Sequence, residues 1–292
     1  MPGNRYKFPI PEPLLEAARD RSLIPFIGSG FSKNIDSANV AGDGLINLIA
    51  GELNMDARLL RIHSNDDWKL CAEYLFSQRG TLGDVLRQLV LRLERDEDIN
   101  GMSKLAKSPA HSRLAELDTP AIYTTNWDSW IERALKALKR SFYVVRSSED
   151  LACPTIVQGE SSDKRLSPWL IKFHGDFSRP ETIVFKQTDY FRRMRFDDPI
   201  DVRFQADIFG NTVLFLGYSF GDPNIQYIWY RLAESLKTVK APRRSYLLTR
   251  DINPVMESFL EKHYIDVIPV GTLDIREATT QLLSELVGVQ QQ

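Results

Sequence analysis

Four apolar runs in this chain each break off into a short polar segment, and that arrangement constrains the fold more than any other feature. Leu23-Ile24-Pro25-Phe26-Ile27 ends at Gly28-Ser29-Gly30. Thr119 to Thr125 ends at Asn126-Trp127-Asp128. Trp169 to Phe173 ends at His174-Gly175. Asn211 to Leu216, the strongest strand signal in the chain, runs into Gly217-Tyr218-Ser219-Phe220-Gly221-Asp222-Pro223. Short runs of apolar and β-branched residues bounded by turn formers read as buried strands. Further strands are expected at Ile183–Phe185, Ser245–Leu248 and Ile265–Val270. Helical spacing is read at Glu12–Arg21, Trp130–Leu138, Ile225–Leu236 and Ile275–Val287, after an irregular opening over residues 1–12. Alternating strands and helices pair in parallel through right-handed crossovers. In such sheets ligands bind beyond the carboxyl ends of the strands, so the four polar segments are expected to converge on one rim. The expected fold class is α/β, a Rossmann-like parallel sheet with helices on both faces.

Residues 43–117 depart from this rhythm. Leu45, Ile46, Leu48 and Ile49 begin a helical spacing. Trp68, Cys71, Ala72, Leu75 and Phe76 carry a second, and Leu82, Val85, Leu86, Leu89, Val90 and Leu93 a third. The reading is a core of residues 1–42 and 118–292, interrupted by a helical subdomain at 43–117 that acts as a lid.

Composition narrows the function classes. With 292 residues, 43% hydrophobic and 26% charged, the chain can bury a sizeable core. A formal net charge of −2 gives no bulk attraction to nucleic acid or acidic membranes. The basic runs Arg192-Arg193-Arg195 and Lys240-Arg243-Arg244 read as solvated surface, so direct nucleic-acid binding is not expected. The two cysteines, Cys71 and Cys153, are far apart and cannot form a four-cysteine zinc site. The first residues lack the apolar run of a signal peptide, and no stretch approaches the roughly 20 apolar residues that span a bilayer. A cytoplasmic location is expected.

Each polar segment has a plain structural reading beside a chemical one. Glycines at 28 and 30 allow close approach of backbone N–H groups to phosphate, with favourable dipole from a following helix, or simply punctuate a strand. Asp128 caps the next helix or contacts a ligand. His174 titrates near neutrality and suits proton transfer, or is a hydrogen-bonded structural histidine. Gly217, Ser219 and Asp222 suit contacts to ribose or phosphate, or form an ordinary Gly-Asp-Pro turn.

Taken in order, these segments resemble the sirtuin superfamily. LIPFIGSGFS, IYTTNWD, LIKFHGDF, ETIVFKQTDYF and FLGYSFGDPNI look closest to its bacterial branch of antiphage-defence sirtuin-like NAD hydrolases. The resemblance covers most of residues 23–236. It implies that Gly28, Ser29, Gly30 and Ser32 hold the phosphates of NAD, and that Asn126 orders the nicotinamide ribose and the attacking water. It further implies that Asp128 contacts the nicotinamide carboxamide, that His174 is a general base, and that Gly217 and Ser219 line the adenosine side. The chain lacks the zinc module of the deacylases and their Pro-Asp-Phe-Arg segment, having Lys33-Asn34-Ile35-Asp36 after the glycine turn. Water, not an acyl-lysine peptide, is then the natural acceptor, and NAD is expected as substrate without zinc. The implied role is an NADase that depletes cellular NAD in abortive antiviral defence. Self-assembly into a homo-oligomer and a separate partner protein are also expected, a HerA-type hexameric ATPase being one such partner and a short Argonaute another. The rival readings are an NAD- or ADP-ribose-sensing module without turnover, and a nuclease subunit of a defence complex.

Overall fold

The structure is a computed structural model that describes residues 9–35, 43–89, 105–160, 165–195, 197–218, 220, 223–240, 242–250 and 253–291. The opening residues 1–8, residues 90–93 of the third helical spacing, and Ser219 and Asp222 lie outside that set. In chain order the elements are α1 (Glu12–Arg19), β1 (Leu23–Ile27), α2 (Ser29–Ser32), α3 (Asp43–Leu53), α4 (Ala57–Ser64), α5 (Trp68–Arg79), α6 (Pro109–Glu116), β2 (Ala121–Thr124), α7 (Trp130–Ala137), β3 (Phe142–Val145), α8 (Ser148–Ala152), β4 (Thr155–Val157), β5 (Trp169–Lys172), α9 (Gln187–Arg193), α10 (Pro199–Gly210), β6 (Thr212–Leu216), α11 (Pro223–Leu236), β7 (Ser245–Thr249), α12 (Pro254–Lys262), β8 (Ile265–Pro269) and α13 (Ile275–Gln290).

Among the described residues one sheet runs in the order β4-β3-β5-β2-β1-β6-β7-β8. All neighbours are parallel except β3 and β4. Helices cover both faces. Leu14, Leu114, Ile131, Leu135, Leu282 and Leu286 pack on one face in the first core cluster, and Phe204, Ile208, Ile225, Trp229 and Leu260 pack on the other. This is the expected Rossmann-like sheet. From β1 the chain turns first toward β2 and later returns through β6 on the other flank. The strand order thus reverses between β1 and β6, the position where such sheets open a crevice.

A proline in the central strand is unusual, because it removes a ladder donor. Pro25 is nonetheless buried in β1, in register with Leu214 of β6. Pairing with β2 begins one residue later, at Phe26 and Tyr123. Two residues past Pro25, Thr125 N donates to Ile27 O, so the nitrogens of this alternate set face β2. The fully buried Thr119 hydroxyl fills the gap, lying 2.6 Å from Leu23 O and 2.9 Å from Ala121 O.

Two features differ from the sequence reading. Ile183–Phe185 is not a strand. Its side chains are buried, and Ile183 and Phe185 join a third cluster with Leu45, Ile49, Cys71 and Leu75 of the inserted helices, while Val184 N donates to His174 O at 3.0 Å. A β-rich composition was satisfied here by packing against helices rather than by a ladder. The second difference is additional structure at α4, β3, α8, β4, α9, α10 and α12. At α6, Ala110, Leu114 and Ala115 pack in the first sheet-face cluster rather than with α3–α5.

Thr119→Val keeps the shape but leaves a buried carbonyl without its donor. It is expected to cost about 1–3 kcal/mol, read as a lower urea midpoint with an unchanged denaturant slope.

Candidate functional site

The register places the polar segments side by side. Ile27 of β1 pairs with Thr124 of β2 and Leu216 of β6, and Thr124 pairs with Lys172 of β5. Gly28, Asn126, His174 and Gly217 are therefore each one or two residues beyond the carboxyl ends of four adjacent strands, on one rim.

At the β1/β6 switch the backbones of the two turns touch. Gly28 N donates to Leu216 O and Gly30 N to Gly217 O, both at 2.9 Å. A Cβ on Gly28 would sit 2.5 Å from Gly217 O, and one on Gly30 would sit 2.8 Å from the same atom. Gly217 has φ +63°, and a Cβ there would lie 2.1 Å from Phe31 N. These glycines are required by the contact between turns, whatever they also offer to a ligand. The helix after the first turn is a single turn, Ser29–Ser32, continued by a 3-10 turn at Lys33–Ile35. The dipole expected there is correspondingly small. Ser29 is exposed at its start.

Three of the residues singled out from the sequence are joined directly. Asn126 Nδ2 donates to Gly28 O at 3.1 Å and to Ser32 Oγ at 3.0 Å, and Ser32 Oγ donates to Asp128 Oδ2 at 2.7 Å. Because Gly28 O can only accept, the Asn126 amide orientation is fixed by its neighbours. Its Oδ1 is buried without a hydrogen-bond partner among the described residues, and the residue is only 7% exposed. Asp128 Oδ1 accepts from Trp130 N at 3.3 Å, so the carboxylate does cap the first turn of α7. Burial raises the Asp128 pKa, opposed by the Lys172 charge and the Ser32 hydrogen bond.

His174 is buried and meets this triangle through Trp127, whose Nε1 donates to His174 O at 3.1 Å. The Tyr190 ring of α9 stands edge-on to the imidazole at 5.3 Å. Gly175 follows at φ +80°, where a Cβ would meet Thr182 O at 2.2 Å. Trp127 also faces Trp68 of α5 at 6.0 Å and Phe185 at 5.5 Å. Thr188 N of α9 donates to Glu73 of α5 at 2.8 Å. The inserted helices thus bear on the same loops that carry Asn126 and His174.

Beneath the rim lies a charge cluster that sequence reasoning missed. Lys172, fully buried, places its Nζ 2.7 Å from Asp176 Oδ2 and 3.1 Å from Glu132 Oε1. It also donates to Asp128 O at 2.5 Å and Trp127 O at 3.4 Å. Burial acts to neutralise the ammonium, but Glu132, Asp176 and Asp128 outweigh it and raise its pKa. Burial raises the Glu132 pKa, while Lys172 overcomes burial at Asp176 and lowers it. The available signal was a lysine closing the otherwise apolar run Trp169-Leu170-Ile171.

Among the described residues no group of three or more His, Cys, Asp or Glu could hold a metal, and no helix is long and apolar enough to cross a membrane.

A family model described as SIR2-like domain matches residues 120–268. NAD(+) hydrolase ThsA of Bacillus cereus (strain MSX-D12) is 27% identical over 225 residues, covering 77% of this chain and 42% of that protein. NAD(+) hydrolase ThsA of Cytobacillus dafuensis is 27% identical over 248 residues, covering 85% of this chain and 45% of that protein. Defense-associated sirtuin 2 of Bacillus subtilis is 30% identical over 129 residues, covering 42% of this chain and 12% of that protein. The matched part of this chain therefore spans less than half the length of each of these relatives. Among solved structures, a Sir2 homologue in complex with NAD aligns over 98% of both chains at 16% identity, with a TM-score of 0.44.

Gly217→Ala is expected to destabilise the protein by about 2–4 kcal/mol, combining left-handed strain with a backbone clash. Gly51→Ala, in α3 with open space around it, should instead stabilise by about 0.5–1 kcal/mol. Thermal unfolding of the two variants should shift in opposite directions.

Proposed function

The chain belongs to the SIR2-like domain family, and on that premise we propose that it hydrolyses NAD to ADP-ribose and nicotinamide, acting as an antiphage effector that depletes NAD. Relatives named as NAD(+) hydrolases and as a defence-associated sirtuin support the reading. The observation that carries it is Asn126 Oδ1. Buried acceptors are nearly always satisfied. This one, on an amide whose other end is locked to Gly28 and Ser32, stands where four strand ends meet.

In this reading Asn126 Oδ1 accepts from the nicotinamide ribose or from the attacking water. The bond between ribose C1′ and the nicotinamide nitrogen breaks, its electron pair leaving with neutral nicotinamide through an oxocarbenium-like state. Water adds at C1′, and His174 accepts the proton from water or a ribose hydroxyl and passes it to solvent. The turn of Gly28, Ser29, Gly30 and Ser32 lies along the phosphates and Gly217 along the adenosine side; because the Gly28 and Gly30 N–H groups are given to Leu216 O and Gly217 O, the donor to the phosphates in this reading is the exposed Ser29. Asp128 has lone pairs beyond those taken by Ser32 and Trp130, and these receive the carboxamide N–H. No zinc is needed at any step.

Residues 43–117 are read as the inserted subdomain, with α3–α5 as its lid over the nicotinamide end. Trp68 against Trp127 and Glu73 at α9 support that role. A depleting hydrolase requires restraint, so a homo-oligomer and a partner such as a HerA-type hexameric ATPase belong to the same proposal, working in the cytoplasm.

Incubating the purified protein with NAD, alone and with the product of the neighbouring gene, should release nicotinamide and ADP-ribose in at least one condition, identified by mass. Binding without release in both would favour a sensing module. Asn126→Ala should lower kcat with little change in NAD affinity, since its contact strengthens as charge develops. His174→Ala should lose roughly 10²–10⁴-fold in turnover while staying folded. Calorimetric affinity that collapses while saturated turnover survives would make Asn126 a binding residue instead.

A further inference from the structure

We propose that Lys172 is a positioning residue that pins the two catalytic loops to one another, an inference that rests on the NAD-hydrolase reading of this rim. Its ammonium has partners on both sides of the β2/β5 boundary. On the β2 side it holds the carbonyls of Trp127 and Asp128, one and two residues after Asn126. On the β5 side it holds the carboxylate of Asp176, two residues after His174. Glu132, one turn into α7, binds the same ammonium and ties in the helix that Asp128 caps.

The geometry separates this role from simple charge burial. Backbone carbonyls do not require an ion partner. A lysine serving only to neutralise Glu132 and Asp176 would have no reason to spend its third donor on the Asp128 carbonyl, with that of Trp127 beside it at 3.4 Å. Those bonds fix the path of the chain just where it must present Asn126 Oδ1. Asp176 is held from its other side as well, by Ser178 N at 2.6 Å and by Arg146 Nε at 3.7 Å. The β5 loop is therefore a firm anchor against which Lys172 sets the β2 loop. Trp127 adds a second tie, since its Nε1 reaches His174 O and Phe177 N reaches Trp127 O at 3.5 Å. Lys172 takes no part in bond making at Asn126 or His174. It acts through the loops that carry them.

Lys172→Met combined with Glu132→Gln removes the ammonium and one carboxylate together, leaving the net charge unchanged. Hydrogen exchange needs no substrate and reads the clamp directly. In the folded double variant, amides of residues 126–130 and 174–178 should exchange at least about tenfold faster, with the sheet unchanged. With NAD, kcat should fall about 10²-fold while affinity stays within about threefold, as expected for displaced reacting groups. Wild-type protection in both loops overturns the proposal, and so does unchanged kcat. If the wild-type protein does not cleave NAD, the functional reading fails, while exchange still decides whether Lys172 holds the loops. Should the double variant not fold, Asp176→Asn carries the test. It should loosen residues 174–178 more than 126–130 and lower kcat about tenfold, and unchanged protection at 174–178 would overturn the clamp.

Discussion

Where β1 and β6 leave the sheet, two backbone turns meet with no room for a side chain between them. Gly30 N reaches Gly217 O, and any Cβ on Gly28, Gly30 or Gly217 would lie within 3 Å of the facing backbone. That contact locks the two turns together at the switch point. It also sets where Gly28 O stands, and Gly28 O is one of the two acceptors that orient the Asn126 amide. The position of the most exacting polar group on the rim thus descends from the smallest side chains in the chain.

A second constraint acts from below. Neighbouring parallel strands deliver Asn126 and His174 to adjacent positions, but strand ends alone do not fix loops. Here the fixing is electrostatic, through one buried ammonium surrounded by three carboxylates and two carbonyls. Buried charge of this kind adds little net stability over an apolar replacement but is costly to break on one side. It is therefore suited to holding a single arrangement. The inserted helices add an apolar contact to the same loops through Trp68, Trp127 and Phe185. The rim is held by glycine contact at the β1/β6 switch, by ions beneath the β2 and β5 loops and by aromatic packing against α5.

The strands that carry the polar segments were legible because each is a buried, nearly continuous apolar run that stops at glycine, asparagine or histidine. The parallel order followed from the alternation of strands with helices. Ile183–Phe185 looked like a strand for the same compositional reason, yet its partners are helices far away in sequence, and no local signal records that. The glycines at 28 and 30 suggested a phosphate cradle, whereas their contact with Gly217 depends on a pairing over almost 190 residues. Asp128 had two readings, and the cap is present alongside a bond to Ser32 that only the assembled rim reveals. Nothing local marks Lys172 as buried, since a strand-end lysine is ordinarily solvated. Its burial depends on Glu132 and Asp176 arriving from a helix and a loop.

The most direct test of this account is a crystal structure of the His174→Ala protein with NAD bound. The dinucleotide should lie across the carboxyl ends of β5, β2, β1 and β6, its phosphates over Gly28–Ser32 and its nicotinamide ribose within hydrogen-bond distance of Asn126 Oδ1. NAD seated instead at the opposite end of the sheet, in the cavity of about 390 Å³ lined by Glu16, Asp20, Thr212, Arg243 and Tyr246, would contradict it.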